Sequence, residues 1–316
     1  MRIAFVFPGQ GSQSVGMLDS ISAEPAAAAL IEEADRALGF PLSTLIHEGP
    51  AEELSLTVNT QPAMLLASVA LFRLYEELGG PAPVVMAGHS LGEYSALTAA
   101  GAFSFEEALR LVRFRAETMQ TTVPVGTGSM AAVLGLSDEA VEAALETVRS
   151  EGVIEAVNFN SPGQVVVAGE KAAVDALVAR AKEIGAKRVL PLKVSAPFHS
   201  SLMKPAAEAL ERRLAETPVA APAVPVLSNV DALPEMEPGL IRTRLAQQAC
   251  SPVQWVRTIA EMKKLGVTDL VECGPGKVLV GLLKRTDPSI RPHSINDLES
   301  LRNVVETLRG LAAAEA

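Results

Sequence analysis

The sequence predicts an α/β protein in two parts: a large unit built on a parallel sheet and a smaller α+β unit inserted into it. Three observations carry this expectation. Val84-Val85-Met86-Ala87 reads as a short buried strand. It runs through Gly88-His89-Ser90-Leu91-Gly92 into a helical stretch, Glu93 to Ala100, which is the strand–turn–helix setting of a nucleophile elbow on an α/β-hydrolase-like sheet. Residues 130–192 read strand-helix-strand-strand-helix-strand, the ferredoxin-like order. Finally, 316 residues with 48% hydrophobic and 20% charged side chains suffice for a sizeable core. Aromatics are only 4%, so that core is mostly Ala, Val and Leu. The expected division is 1–124 with 195–316 as the large catalytic unit and 125–194 as the insert.

Taken in order, Ile3 to Phe7 is a first buried strand, followed by the glycine-rich loop Pro8-Gly9-Gln10-Gly11-Ser12-Gln13. That loop could cradle an anion, but no Gly-Lys-Ser/Thr follows it, so it is not a P-loop. Pro25 to Leu38 is helical, with Pro25 in the first turn and Gly39 as the stop. Leu42 to His47 and Glu52 to Leu56 are short helical pieces. Pro62 is placed in the first turn of a long helix, Ala63 to Leu78, ended by Gly79-Gly80. Ser104-Phe105-Glu106-Glu107 matches a capping box and opens a helix to about Gln120. In the insert, strands are expected at 130–134, 154–158, 164–169 and 186–192, and helices at 137–149 and 171–184. Asn160-Ser161-Pro162-Gly163 is read as a turn. The chain then continues with a helix from Leu202 to Glu216 and a strand from Pro225 to Val230. Helices follow from Gly239 to Ala249 and from Ser251 onward, the second carrying the only Trp, Trp255. A strand from Thr268 to Cys273 leads into a second glycine turn, Gly274-Pro275-Gly276-Lys277, and a helix from Val278 to Arg285. A last helix covers Leu298 to Ala314.

The formal net charge is −10, which disfavours non-specific binding to nucleic acid or anionic membranes. Cys250 and Cys273 have no CxxC partner, so neither a disulfide framework nor a zinc site is suggested, and no metal is expected. No run of about 18 apolar residues lacks charges or turn formers, so no membrane span is expected. The N-terminus reads as a strand rather than a signal peptide. The expected location is cytoplasmic.

Three residues carry candidate chemistry. Ser90 sits at the elbow position, where a nucleophile is held beside free N–H groups at a helix N-terminus; the alternative is a serine that merely caps the helix. Arg115 falls on the apolar face of its helix with Ala108, Leu111, Val112 and Met119, whereas Arg110, Arg113 and Glu117 face the other way. Two readings stand for it, a structural ion pair or an arginine awaiting an anionic ligand. A serine nucleophile needs a base, and the chain holds four histidines: His47, His89, His199 and His293. His89 adjoins Ser90 and points elsewhere, and His47 and His293 lie in ordinary loop or helix-edge settings. By elimination His199 is the candidate base.

The ordered set Phe7-Pro8-Gly9-Gln10-Gly11-Ser12-Gln13, Thr60-Gln61-Pro62-Ala63, Gly88-His89-Ser90-Leu91-Gly92-Glu93-Tyr94, Arg115 ahead of Met119-Gln120, Asn160-Ser161-Pro162-Gly163-Gln164, Pro197-Phe198-His199-Ser200 and Gly274-Pro275-Gly276-Lys277 resembles the malonyl-CoA:acyl-carrier-protein transacylases of type II fatty acid synthesis. The resemblance spans essentially the whole chain. It implies Ser90 as nucleophile, His199 as base and acid, and the backbone carbonyl of Gln248 as the group that orients the imidazole. It further implies an oxyanion hole from the N–H groups of Gln10 and Leu91, and a substrate site formed by Arg115, Gln61, His89 and Asn160. The substrates would be malonyl-CoA, a coenzyme A thioester, and an acyl carrier protein, with no permanently bound cofactor and the enzyme acting as a monomer. A basic surface for the acidic carrier is expected from Lys182, Lys187, Arg188 and Lys193 or from Lys284 and Arg285. Competing expectations are a serine esterase of the α/β-hydrolase type, a non-catalytic carrier-binding scaffold, and a malonyl acyltransferase serving polyketide assembly.

Overall fold

The computed structural model describes residues 1–194 and 196–315; the expected return to the large unit at Ser195 lies outside them. In chain order the strands are β1 (Ile3–Phe7), β2 (Val85–Gly88), β3 (Gly128–Leu134), β4 (Ile154–Ser161), β5 (Gln164–Glu170), β6 (Arg188–Pro191), β7 (Val226–Leu227), β8 (Pro234–Glu235), β9 (Asp269–Cys273) and β10 (Arg291–Ile295). They form two sheets, one in the order β10-β9-β1-β2-β7-β8 and one in the order β4-β5-β3-β6.

The large sheet is parallel apart from β8, which pairs antiparallel with β7. All five residues of β1 are buried, as expected of a strand covered on both faces by helices. Its register aligns Phe7 with Gly88, so the loop after β1 and the turn after β2 leave the sheet side by side. The helix after β2, Leu91–Ala99, is buried along its whole length. It packs with the long helix Thr57–Glu77 and with Phe105–Thr121 in one continuous apolar core.

Three of four differences from the sequence-based expectations have local causes. The helix expected from Ala63 begins at Thr57, leaving Pro62 in its interior. Pro62 has no N–H for the carbonyl of Val58, and that carbonyl instead accepts from Arg113 Nη1 at 3.0 Å. The strand expected over 225–230 shrinks to Val226–Leu227, because Asn229 turns its backbone N–H to Glu93 Oε2 at 3.1 Å rather than to a ladder partner. The short β8 was not anticipated. β10 was not anticipated either. Pro292 interrupts its pattern, and a proline is tolerated there because β10 is an edge strand. His293 therefore stands on a strand, not in a loop.

The second sheet is antiparallel throughout. Its order, with the first and third of its strands in the middle, is the ferredoxin-like arrangement. Helices Asp138–Glu146 and Lys171–Ala179 are shorter than expected and close a separate small core around Val133, Val141, Leu145, Val165, Val174 and Leu177. Asn160 and Ser161 belong to β4 rather than to a turn. β4 is tied to the large unit by backbone hydrogen bonds from Val253 N to Val157 O (2.9 Å) and from Phe159 N to Val253 O (3.0 Å). No helix among the described residues is long and apolar enough to cross a membrane.

Candidate active site

A cavity of about 320 Å³ opens between the two sheets. The loop Pro8–Ser12, the elbow and Arg115 line one wall, and Met130, Asn158, Asn160 and Val166 of the small sheet line the other. The elbow is tight. A Cβ on Gly88 would lie 1.8 Å from the Gly92 carbonyl carbon, and one on Gly92 would lie 2.0 Å from the Phe7 carbonyl oxygen, so both positions require glycine. Ser90 itself holds φ 53° and ψ −112° and makes no capping hydrogen bond with its side chain, which disposes of the helix-cap reading. Strain of this kind persists only where the surroundings impose it.

Ser90 Oγ lies 2.7 Å from His199 Nε2. His199 Nδ1 lies 2.8 Å from the backbone oxygen of Gln248. A carbonyl only accepts, so Nδ1 carries the proton and Nε2 is left as the acceptor facing the serine hydroxyl. His199 is also held at positive φ, 66°. Burial, and then the neighbouring Arg115 cation, push its pKa from 6.5 down to about 3, so the resting imidazole is neutral and ready to accept a proton.

Arg115 is 1% exposed. Its Nη1 donates to Gln61 Oε1 at 2.7 Å, and its Nη2 donates to Gln248 Oε1 at 3.0 Å and to Ser90 Oγ at 3.2 Å. Its carbon end lies 5.2 Å from the centre of the Tyr94 ring, close enough for a cation–π contact. Among the described residues every hydrogen-bond acceptor of the guanidinium is neutral, and Nε has none. Of the two readings of this arginine, the structural ion pair is not what the geometry contains.

His89 turns away from Ser90, as expected, and its Nε2 meets Asn160 Oδ1 of β4 at 2.7 Å. Its ring packs 5.4 Å from that of Trp255. Burial lowers its pKa. Gln10 and Leu91 both line the cavity, and among the described residues no backbone hydrogen bond from the N–H of either is found. The other two histidines are elsewhere: His47 pairs with Asp19 at 2.5 Å, and His293 with Asp269 at 2.9 Å. No group of three or more potential metal ligands occurs among the described residues.

The sequence reading thus brings together Ser90, His199, the Gln248 carbonyl, Arg115, Gln61, His89, Asn160, Gln10 and Leu91. It missed three contributors. The Gln248 side chain, foreseen only for its backbone, spans Arg115, the Ser90 carbonyl (2.9 Å) and Glu93 Oε2 (2.7 Å). Asn229 accepts the Ser90 N–H at 2.7 Å, and Glu93 is buried behind the elbow. A glutamate as the one charged residue of the helix Leu91–Ala99 was the available signal. Nothing in the spacing pointed to Asn229.

A family model described as an acyl transferase domain matches residues 4–306. The malonyl CoA-acyl carrier protein transacylase of Escherichia coli (strain K12) is 50% identical over 306 residues, 96% of this chain and 99% of that protein. Its namesake in Bacillus subtilis (strain 168) is 46% identical over 310 residues, covering 98% of each. Among solved structures, an acyl-carrier-protein S-malonyltransferase from Burkholderia pseudomallei 1710b superposes with a TM-score of 0.95 at 52% identity, over 97% of this chain and all of that one. A malonyl-transacylase solved with a type II PKS acyl carrier protein superposes equally well, with a TM-score of 0.95 at 46% identity, over 97% and 100% of the two chains.

Proposed function

The chain belongs to the acyl transferase domain family, and on that premise we propose that it moves the malonyl group from malonyl-CoA to the phosphopantetheine thiol of an acyl carrier protein, in the cytoplasm, for fatty acid synthesis. The observation that carries this reading is Arg115: a buried cation with neutral partners, 3.2 Å from the serine that lies 2.7 Å from a histidine. A guanidinium fork matches a carboxylate in two parallel hydrogen bonds. Malonyl is an acyl group whose free end is a carboxylate.

The steps follow from the geometry. His199 Nε2 takes the hydroxyl proton as Ser90 Oγ attacks the thioester carbonyl, and the carbonyl electron pair moves onto oxygen. The N–H groups of Gln10 and Leu91 receive that oxyanion, each worth about 3 kcal/mol in such chemistry. Collapse breaks the C–S bond, His199 returns the proton to the coenzyme A sulfur, and malonyl remains as an ester on Ser90. The Gln248 carbonyl holds the imidazole in the required tautomer and stabilises its charged form in the transition state. The carrier thiol then loses its proton to His199 as its sulfur attacks the ester carbonyl; collapse breaks the bond from the acyl carbon to Ser90 Oγ, and His199 returns the proton to Oγ, which regenerates Ser90. Gln61, His89 and Asn160 border the acyl group. The insert, residues 125–194, acts as a unit that supplies the second wall. Met119, Met130, Val166, Phe198, Leu279 and Leu282 line the cleft and favour thiol over water as the acceptor.

Exposure to malonyl-CoA without a thiol acceptor should leave one malonyl adduct, mapped by intact mass and peptide analysis to Ser90 and released by carrier protein. Steady release of free malonate instead would mean an esterase. The relative solved with a type II PKS carrier protein supports a second reading, service to a polyketide carrier. Comparing transfer rates to the two carrier types from the same organism decides it.

A further inference from the structure

Ser90 sits at positive φ, and something must hold it there. The peptide groups on either side of His89 are gripped by one side chain. Asn229 Oδ1 accepts the Ser90 N–H at 2.7 Å, and Asn229 Nδ2 donates to the Gly88 carbonyl at 2.6 Å. Asn229 is 1% exposed and lies just past β7, the strand beside β2. Its own backbone N–H is fixed by Glu93 Oε2 (3.1 Å), and the same carboxyl oxygen accepts from Gln248 Nε2 at 2.7 Å. Gln248 in turn donates to the Ser90 carbonyl and accepts from Arg115. A ring of hydrogen bonds therefore runs from the Ser90 N–H through Asn229, Glu93 and Gln248 back to the Ser90 carbonyl, with a branch to Arg115.

We propose that Asn229 is a positioning residue for the nucleophile, clamping the elbow through both neighbouring peptide groups while Glu93 anchors the clamp. The proposal rests on the reading of Ser90 as the nucleophile. It has a direct chemical consequence. The Ser90 N–H is committed to Asn229 and is lost as an oxyanion donor, so that role passes to the next N–H in the chain, Leu91, together with Gln10. The clamp acts on kcat rather than on binding, because Asn229 holds only backbone atoms of the elbow and is not itself among the residues that line the cavity.

The isosteric Asn229→Asp variant separates positioning from simple packing. An aspartate keeps the acceptor toward the Ser90 N–H. When ionised, however, it sets a carboxylate oxygen against the Gly88 carbonyl, where Asn229 has a donor. Protonation restores an O–H donor at that place. The titratable and charged groups around the clamp are Glu93, raised to about 8 by burial and then by Glu235, Glu235 itself, raised to about 7 by burial and paired with Arg244, and Arg115 and His199. All are present in the wild type, which serves as the control at each pH.

The experiment measures kcat and KM for malonyl-CoA from pH 5 to pH 8.5 in the wild type, Asn229→Ala and Asn229→Asp. The yield of Ser90 adduct is followed by mass, and thermal unfolding is followed throughout. Asn229→Ala should lose about a hundredfold in kcat, the scale of a displacement of about 1 Å in a reacting group, with KM within about threefold of wild type. Asn229→Asp should be comparably slow at pH 8.5 and recover relative to wild type as the pH falls. Wild-type kcat in Asn229→Ala, or a constant ratio of Asn229→Asp to wild type across the range, overturns the clamp. If Asn229→Ala fails to fold, the Asn229→Asp ratio alone decides. A wild-type protein that acquires malonyl somewhere other than Ser90 would overturn the nucleophile assignment instead, a separate and distinguishable result.

Discussion

Two clusters that each hold a buried charged side chain stand at opposite ends of the large sheet. At the start of β9, Asp269 is fully buried. It accepts from Arg291 Nε and Nη2 at 2.8 Å each, from His293 Nε2 at 2.9 Å and from Thr268 Oγ1 at 2.7 Å. At the other end, beyond β2, Arg115 is equally buried but donates only to two amide oxygens and a hydroxyl. A buried charge costs several kcal/mol unless it is paired. The Asp269 cluster meets that cost within the fold and is complete. The Arg115 cluster leaves part of it to be met by something that enters. Function is legible in which buried charge lacks its counter-charge.

The contrast is sharpest when each arginine is removed. Arg115→Ala should reduce kcat/KM for malonyl transfer about a hundredfold or more and raise acetyl relative to malonyl transfer. Its stability should change little, since the loss of a buried charge without an ion-pair partner offsets the donors that the Gln61 and Gln248 amide oxygens lose. Arg291→Ala should leave the acyl preference untouched and cost about 2 kcal/mol of stability, because the Asp269 carboxylate loses two charged donors. Denaturant unfolding alongside the malonyl-to-acetyl ratio checks both. An unchanged ratio in Arg115→Ala would remove that residue from substrate recognition.

Local chemistry decided how much of this could be read beforehand. The elbow, the helix start at Ser104 and the ferredoxin-like order are written in short-range patterns, and the structure contains all three, though of the capping box only the Glu107 N–H to Ser104 Oγ half is formed, at 3.3 Å. Arg115 was visible as an inward charge by helical spacing alone, but its partners were not, since Gln61 and Gln248 come from 54 and 133 residues away. Asn229 was invisible for the same reason: its contacts reach back 139 and 141 residues, and an Asn near the end of a strand looks like an ordinary turn residue. His293 was misread because Pro292 breaks the alternation of an edge strand. Pattern reaches as far as one element, whereas the completion of a buried polar group is a property of several.

Acid should separate the two ends in sequence. The folded state keeps His199 neutral down to about pH 3, while an unfolded histidine takes a proton near pH 6.5. Stability therefore falls as the pH drops from about 6.5 toward 3. Asp269 is held well below the ordinary carboxylate range by Arg291, His293 and Thr268, so its contribution persists until the pH passes below about 4 and only then declines. Replacing His199 with Gln should flatten the fall in melting temperature between pH 7 and pH 5 and leave the steeper loss below pH 4. In activity, the acid limb of kcat/KM should lie well below pH 6.5. Arg115 is the second cause of the low His199 pKa, so the residual activity of Arg115→Ala should show that limb at higher pH.

The smallest effect concerns a third arginine, one that is complete in a different way. Arg113, on the same helix as Arg115 but facing away from the cavity, donates from Nη1 to the Val58 carbonyl that Pro62 leaves vacant and to Asn59 Oδ1, both at 3.0 Å, and from Nε to Glu117 at 2.6 Å. Its charge is balanced on the surface and its remaining donors satisfy a backbone defect. Arg113→Ala should cost about 1 kcal/mol, with transfer activity unchanged. Pro62→Ala would return an N–H to the Val58 carbonyl. In that background Arg113→Ala should cost measurably less, by a few tenths of a kcal/mol, because one of the donors it removes is no longer needed. Equal costs in the two backgrounds would mean that the Val58 carbonyl is not what Arg113 serves. The arginine would then owe its place to Glu117 and Asn59 alone.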